Sequence, residues 1–197
     1  MISNGRHWLL ACALVCAGLT GCVSTAMQKS EEAMAAKPDQ ALVIFMRSSA
    51  MGGAVQASVF DVSGAGEKLV GIVSTGTKVG YYVAPGERTF MVVSEAADFM
   101  QANLVAGRTY YALVTPRMGF WKARFSLRPV RAAELGGSEF ADWNGATYFV
   151  VNTPQSQAWA AQNSADIAAK RASYWPDWSG KSAAARAEQT LNADDGR

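Results

Sequence analysis

Between residues 41 and 130 the chain is a series of short apolar runs, rich in Val, Phe, Tyr and Thr and separated by breaks that contain glycine or polar residues. Such runs are too short for amphipathic helices and carry the composition of strands. They fall at 41–46, 55–62, 68–74, 78–84, 88–94, 100–105, 108–115 and 120–128. Strands at this regular spacing build a β-sandwich or an open barrel. We read the chain as mainly β, a small β-sandwich of seven to eight strands followed by a C-terminal helix. The run Ala41-Leu42-Val43-Ile44-Phe45-Met46 is apolar at every position, which a strand buried on both faces requires.

Two turns set the order of the later strands. In Tyr82-Val83-Ala84-Pro85-Gly86-Glu87-Arg88-Thr89-Phe90, proline presets φ at the second turn position and glycine accepts a positive φ at the third, which predicts a tight type II hairpin. In Leu104-Val105-Ala106-Gly107-Arg108-Thr109-Tyr110-Tyr111, a second glycine precedes an aromatic strand. This order resembles PEGA-like and related bacterial lipoprotein families. The resemblance covers residues 41–130 and implies a transthyretin-like sandwich in the cell envelope. It carries no catalytic residue with it, because the shared positions are turn formers and core aromatics. Two other glycine breaks, at 64–68 and 74–78, share fragments of phosphate-binding loops. Neither has the full spacing or a following helix, and both read as hairpins.

Beyond Val130 a linker-like stretch at 134–138 precedes Asp142-Trp143-Asn144-Gly145, and one more strand is expected at 148–151. Thr153-Pro154 then opens a helix, with Thr153 as N-cap and Pro154 at the first helical position, reaching about Ala172. Ala158, Ala161, Ala165, Ala168, Ala169 and Ala172 form a small-residue stripe that would let this helix lie close to a sheet. The domain plan is therefore a sandwich over 41–151, a helix and aromatic turn over 152–180, and a loosely held polar tail over 181–197.

The N-terminus supplies an address. Arg6 precedes an uncharged run from Trp8 to Leu19, which is the layout of a secretory signal. Twelve helical residues rise about 18 Å, short of the ~30 Å hydrocarbon core of a bilayer. The run closes on Leu19-Thr20-Gly21-Cys22, which resembles the bacterial lipobox. That resemblance implies removal of residues 1–21 and lipidation of Cys22. Each buried CH₂ of an acyl chain contributes about 0.8 kcal/mol, and two chains already hold a protein stably on a membrane. Val23 stands where an inner-membrane lipoprotein carries aspartate, so the enterobacterial sorting rule implies the outer membrane, facing the periplasm. Residues 22–40 read as a polar, alanine-rich tether; a flexible chain of that length reaches about 20–25 Å.

Processing at Cys22 would remove much chemistry. Cys12, Cys16 and the single histidine, His7, all lie in the signal segment. The remainder then holds no Ser-His-Asp or Cys-His arrangement, no zinc site of the usual kind and no disulfide. Asp142–Gly145 and 192–196 look faintly like calcium loops but lack the alternating acids and the closing glutamate, and they read as turns. No metal or cofactor is implied. Seventeen basic against sixteen acidic side chains after residue 21 give no reason to expect a nucleic-acid partner.

Three sets of residues remain as candidate sites, each with a structural alternative. Lys122, Arg124 and Arg128 alternate with Trp121, Ala123, Phe125 and Leu127, so they either form a polyanion-binding strip for lipopolysaccharide or another acidic partner, or line a solvated strand face. Trp159, Trp175 and Trp178 either stack on a glycan such as peptidoglycan or pin the helix end onto the core. Glu95 and Asp98, with Asn103 nearby, either hydrolyse a glycosidic bond or serve a turn between strands. The expected protein is a non-enzymatic binding or structural lipoprotein, bound to the membrane through its lipid and to an envelope protein or glycan. A carboxylate-dependent hydrolase of envelope glycans is the alternative.

Overall fold

The computed structural model describes residues 26–53, 55–117 and 124–197. The signal segment, Cys22, Trp121 and Lys122 lie outside the described residues. The architecture is mainly β, with eleven strands in two sheets among the described residues. The strands are β1 (Met27–Lys29), β2 (Ala41–Arg47), β3 (Ala57–Asp61), β4 (Lys68–Val73), β5 (Thr77–Val83), β6 (Gly86–Val93), β7 (Ala97–Leu104), β8 (Thr109–Arg117), β9 (Arg124–Pro129), β10 (Tyr148–Asn152) and β11 (Thr190–Leu191). The first sheet runs β1-β10-β5-β2-β8-β9 and the second β11-β7-β6-β3-β4.

All seven residues of β2 are buried, because both faces of its sheet are covered. Ala41, Val43 and Phe45 point between the sheets into the main core. Leu42, Ile44 and Met46 point outward into a second cluster with Tyr111, Leu113, Val130 and Phe140. The cover is helix α1 (Ser138–Gly145), whose Phe140 meets Tyr111 edge-on with ring centroids 4.8 Å apart.

Eight of the strands follow the apolar runs in the sequence. The count exceeds seven to eight because β10 adds to them and because β1 and β11, three and two residues long, exist only through pairing with distant strands. The turns differ more. Gly86 does adopt a positive φ of 106°, yet β5 and β6 lie in different sheets, so Pro85-Gly86 makes a corner between sheets instead of a hairpin. The break at 74–78 is likewise a corner, from β4 to β5, whereas 64–68 joins the paired strands β3 and β4. Turn residues fix the local reversal of the chain; the partner of the next strand is set by which faces must be buried.

Residues 26–40 are part of the fold, which corrects the tether expected there. Met27 pairs with Asn152, and the Thr153 hydroxyl donates to the Ala26 carbonyl at 2.6 Å. Met34 lies over Gly80, the Tyr82 hydroxyl donates to the Ala35 carbonyl at 2.8 Å, and Lys37 stands 4.0 Å from the Tyr82 ring centroid. Two methionines and scattered polar bonds hold this segment, and neither produces a sequence period.

The C-terminal part carries two further corrections. Helices α2 (Pro154–Gln162) and α3 (Ser164–Ser179) follow the Thr153 cap, but Pro176 sits inside α3, so the aromatic group belongs to a helix and not to a turn. The buried face holds Ser156, Ile167 and Trp178 with half-buried Trp159 and Tyr174, while all six alanines of the expected stripe are exposed. Large apolar side chains bury more area than alanines and decide which face turns inward. The tail is also bound. After α4 (Ala183–Glu188), β11 pairs in parallel with β7, Leu191 is fully buried, and Thr109 and Arg197 exchange two backbone hydrogen bonds at 2.8 and 3.1 Å. Asp142–Gly145 end α1, and residues 193–195 form a short 3-10 turn.

Candidate binding surfaces

One end of the sandwich opens between the β3–β4 hairpin and the β5–β6 corner. There Asp61, at the end of β3, accepts from the Ser63 backbone N–H at 2.9 Å, from its hydroxyl at 2.5 Å and from the Tyr81 hydroxyl at 3.1 Å. An Asx-type bond of this kind shapes the hairpin entry and fills the carboxylate's acceptor sites. Tyr81 packs edge-on against Phe90 at 6.3 Å. Burial pushes its phenol above the ordinary tyrosine range, and the Asp61 charge adds to this against a smaller opposite effect of Arg88.

Lys68 stands 5.3 Å from the Tyr81 ring centroid, and Arg88 donates through Nε to the Ala84 carbonyl at 3.1 Å. A guanidinium carries five N–H donors, so most of the Arg88 fork is left for a ligand. These groups line a cavity of about 400 Å³. Ser63 and Arg88 also belong to a neighbouring trough of about 340 Å³ on the outer face of the second sheet. Its floor is the cross-strand pairs Glu87–Asn103 and Thr89–Gln101. Together they present two cations, Lys68 and Arg88, two carboxylates, Asp61 and Glu87, and a ladder of neutral amides and hydroxyls. That chemistry suits a polyhydroxylated ligand with a charged substituent. Among the described residues no group of three or more His, Cys, Asp or Glu side chains is placed to hold a metal ion.

The structure does not bring Glu95, Asp98 and Asn103 together. Asp98 lies within β7 and not in a loop, opposite Val92, and is buried. Its carboxylate accepts from Gln189 Nε2 at 2.9 Å and faces Arg117 at 3.5 Å and Lys181 at 3.7 Å. Glu95 lines a separate cavity of about 270 Å³ with Trp159, Ile167 and Ala26, a cavity that Asp98 does not reach. Asn103 is exposed in the polar trough.

The three tryptophans form no single platform. Trp178 is 2 % exposed, stacks on Trp175 with centroids 5.3 Å apart, and donates through Nε1 to Gln189 at 3.1 Å. Phe99 meets Trp175 edge-on at 5.1 Å, so this pair anchors the end of α3 on β7. Trp159 is half-buried in α2.

On β9 the expected alternation is present: Phe125 and Leu127 are buried, Arg124 and Arg128 exposed. Arg128 pairs with Glu134 and stands 5.3 Å from the Trp143 ring centroid, while Arg124 lies opposite Arg117. Lys122, the third member of the strip, is outside the described residues.

Sequence reasoning missed the buried cations. Arg47, fully buried, donates to the carbonyls of Val55 at 2.5 Å and Gly52 at 2.7 Å and lies 4.4 Å from the Phe125 ring, its Nε left without a partner. Lys78 donates to Asn144 Oδ1 at 2.7 Å and to the Asn144 carbonyl at 3.0 Å. Burial pulls both groups below their ordinary pKa. Each follows or adjoins an apolar run, where a cation reads as a strand's exposed end. No family model matches the chain, and no curated protein matches it.

Proposed function

We propose that the chain is a lipid-anchored lipoprotein of the bacterial cell envelope, of the PEGA-like kind, acting as a non-enzymatic binding or structural module. The observation that carries the reading is Leu19-Thr20-Gly21-Cys22 at the end of a short uncharged run, with every other cysteine and the histidine upstream of it. Val23 favours the outer membrane, with the domain facing the periplasm. Among the described residues no helix is long and apolar enough to cross a membrane. A binding role is supported by the open end around Tyr81, Lys68 and Arg88, whose chemistry suits an acidic envelope glycan. A hydrolytic role is disfavoured by the engagement of the Asp98 carboxylate with Gln189, Arg117 and Lys181 and by its not lining the Glu95 cavity.

Intact mass of the membrane-extracted protein tests the anchor: the expected species begins at Cys22 and carries acyl chains, and a mature terminus elsewhere without lipid sinks the reading. Binding is tested by titrating peptidoglycan fragments and lipopolysaccharide against the wild type and Lys68→Gln/Arg88→Gln. Equal affinity in both proteins would remove this cleft as the binding surface.

A further inference from the structure

The position of Ala26 in the folded body restricts how such a protein stands on its membrane. Ala26 is fixed: its carbonyl accepts from Thr153, and Met27 immediately after it pairs with Asn152. Four residue steps separate Ala26 from Cys22. A fully extended chain advances at most about 3.6 Å per residue, so a lipid on Cys22 is within about 14 Å of the body. A tether of eighteen residues would let the domain tumble above the headgroups; this one does not.

We infer that the anchored protein rests directly on the bilayer, with the β1 edge of the first sheet and the start of α2 against the lipid headgroups. The inference rests on Cys22 being lipidated as proposed above. The contacting surface is built from groups that a headgroup layer accommodates. Gln28 and Gln155 are exposed polar residues beside Ala26, and Val151, 42 % exposed, lies opposite Gln28 on β10. The two nearby lysines are already paired, Lys29 with Glu31 at 2.7 Å and Lys170 with Asp166 at 2.8 Å. The contact is therefore held by the short leash and not by attraction to anionic lipid.

The same geometry assigns a direction to the basic strand. β1 and β9 are the two edges of a six-stranded sheet. Five strand spacings of about 4.8 Å place β9 roughly 24 Å from β1. With β1 on the membrane, Arg124 and Arg128 are presented away from it, to a partner in the periplasm and not to the lipids of the anchoring leaflet.

Single-cysteine labels test this, since an acylated Cys22 leaves no other thiol after the signal is removed. Gln155→Cys reports the anchor side. Ala133→Cys, exposed just beyond β9, reports the far side. Each lipidated protein is labelled with a fluorophore and reconstituted into phosphatidylcholine vesicles whose headgroups carry a quencher. Quenching several-fold stronger at 155 than at 133 is expected, unchanged when phosphatidylglycerol is included. Inserting about twenty Gly/Ser residues before Ala26, with a reach on the order of 25 Å, should bring the two labels level. Equal quenching with the native leash, or stronger quenching at 133, would overturn the orientation. The mass of the reconstituted protein is read first, so unacylated protein counts against the lipoprotein reading and acylated protein with equal quenching counts against the orientation alone.

Discussion

The Asp195 carboxylate meets the Arg131 guanidinium at 2.9 Å across 64 residues of chain. Asp195 also accepts from the backbone N–H groups of Asn192 at 2.8 Å and Ala132 at 3.2 Å. Arg131 in turn donates to the carbonyls of Thr190, Ala187 and Glu188, closing the C-terminal end of α4. The last residues of the chain are thereby part of the sandwich.

Asp195→Ala should destabilise the domain by about 2 kcal/mol, since it removes charge-assisted bonds from a mostly buried group while leaving Arg131 its carbonyl partners. Urea unfolding of variant and wild type measures this. A midpoint equal to the wild type's would show that the tail contributes no stability.

Gly80→Ala should destabilise by about 1 kcal/mol, because a Cβ at that position collides with the Met34 thioether and must displace it. Met34→Ala clears the space at the loss of some buried area. In the Met34→Ala background the Gly80→Ala change should be nearly neutral, and the coupling between the two positions in a double-mutant cycle measures how firmly residues 30–40 are held. Additive effects would contradict the packing.

Asp98→Ala should cost about 3 kcal/mol, because Lys181 and Arg117 would lose the carboxylate they face and Gln189 its acceptor. Thermal unfolding of Asp98→Ala beside Glu95→Ala separates this role from catalysis. A variant of Asp98 with full stability but lost glycan cleavage would revive the hydrolase.

Alkaline titration should separate half-buried Tyr81 from buried Lys78, two groups of opposite sign. Tyr81 ionises above its unfolded value of 10.0, so stability from its burial is present below pH 10 and is lost as pH rises through the folded value. Lys78 releases its proton below its unfolded value of 10.5, so its contribution is full above that pH and falls as pH drops through the folded value. Burial also raises the phenol of Tyr110, so tyrosinate absorbance should show two phenols missing from the transition near pH 10 in the wild type. Tyr81→Phe should remove one of the two late-titrating phenols and leave that of Tyr110, and Lys78→Met should flatten the rise in stability towards pH 10.5. A wild-type titration in which every tyrosine ionises together would refute the assignment of Tyr81.

Much of the fold was legible in local pattern. Eight apolar runs became β2 to β9, the wholly apolar run at 41–46 became a strand buried on both faces, and Thr153-Pro154 capped a helix. Burial demands alternation, and capping demands a particular side chain at a particular place, so both leave marks within a few residues.

The candidate sites were less legible. The alternation of Phe125 and Leu127 with Arg124 and Arg128 could be read from the sequence, but not that Arg128 pairs with Glu134 or that Trp178 is sealed beneath Trp175. Lys68, Tyr81 and Arg88 meet only because two turns at one end of the sandwich face each other, and no spacing in the chain encodes that meeting.

By itself, then, the sequence determined the β class, eight of the strands and the helix cap, because each depends on neighbours along the chain, and its run 19–22 supports the proposed address on the same local ground. Tertiary structure alone decided that Pro85-Gly86 turns between sheets, that residues 26–40 and 181–197 belong to the body, and that Arg47, Lys78 and Asp98 are buried. Those features arise from contacts between residues far apart in the chain, whose free energy depends on which surfaces remain to be covered once the sheets have formed.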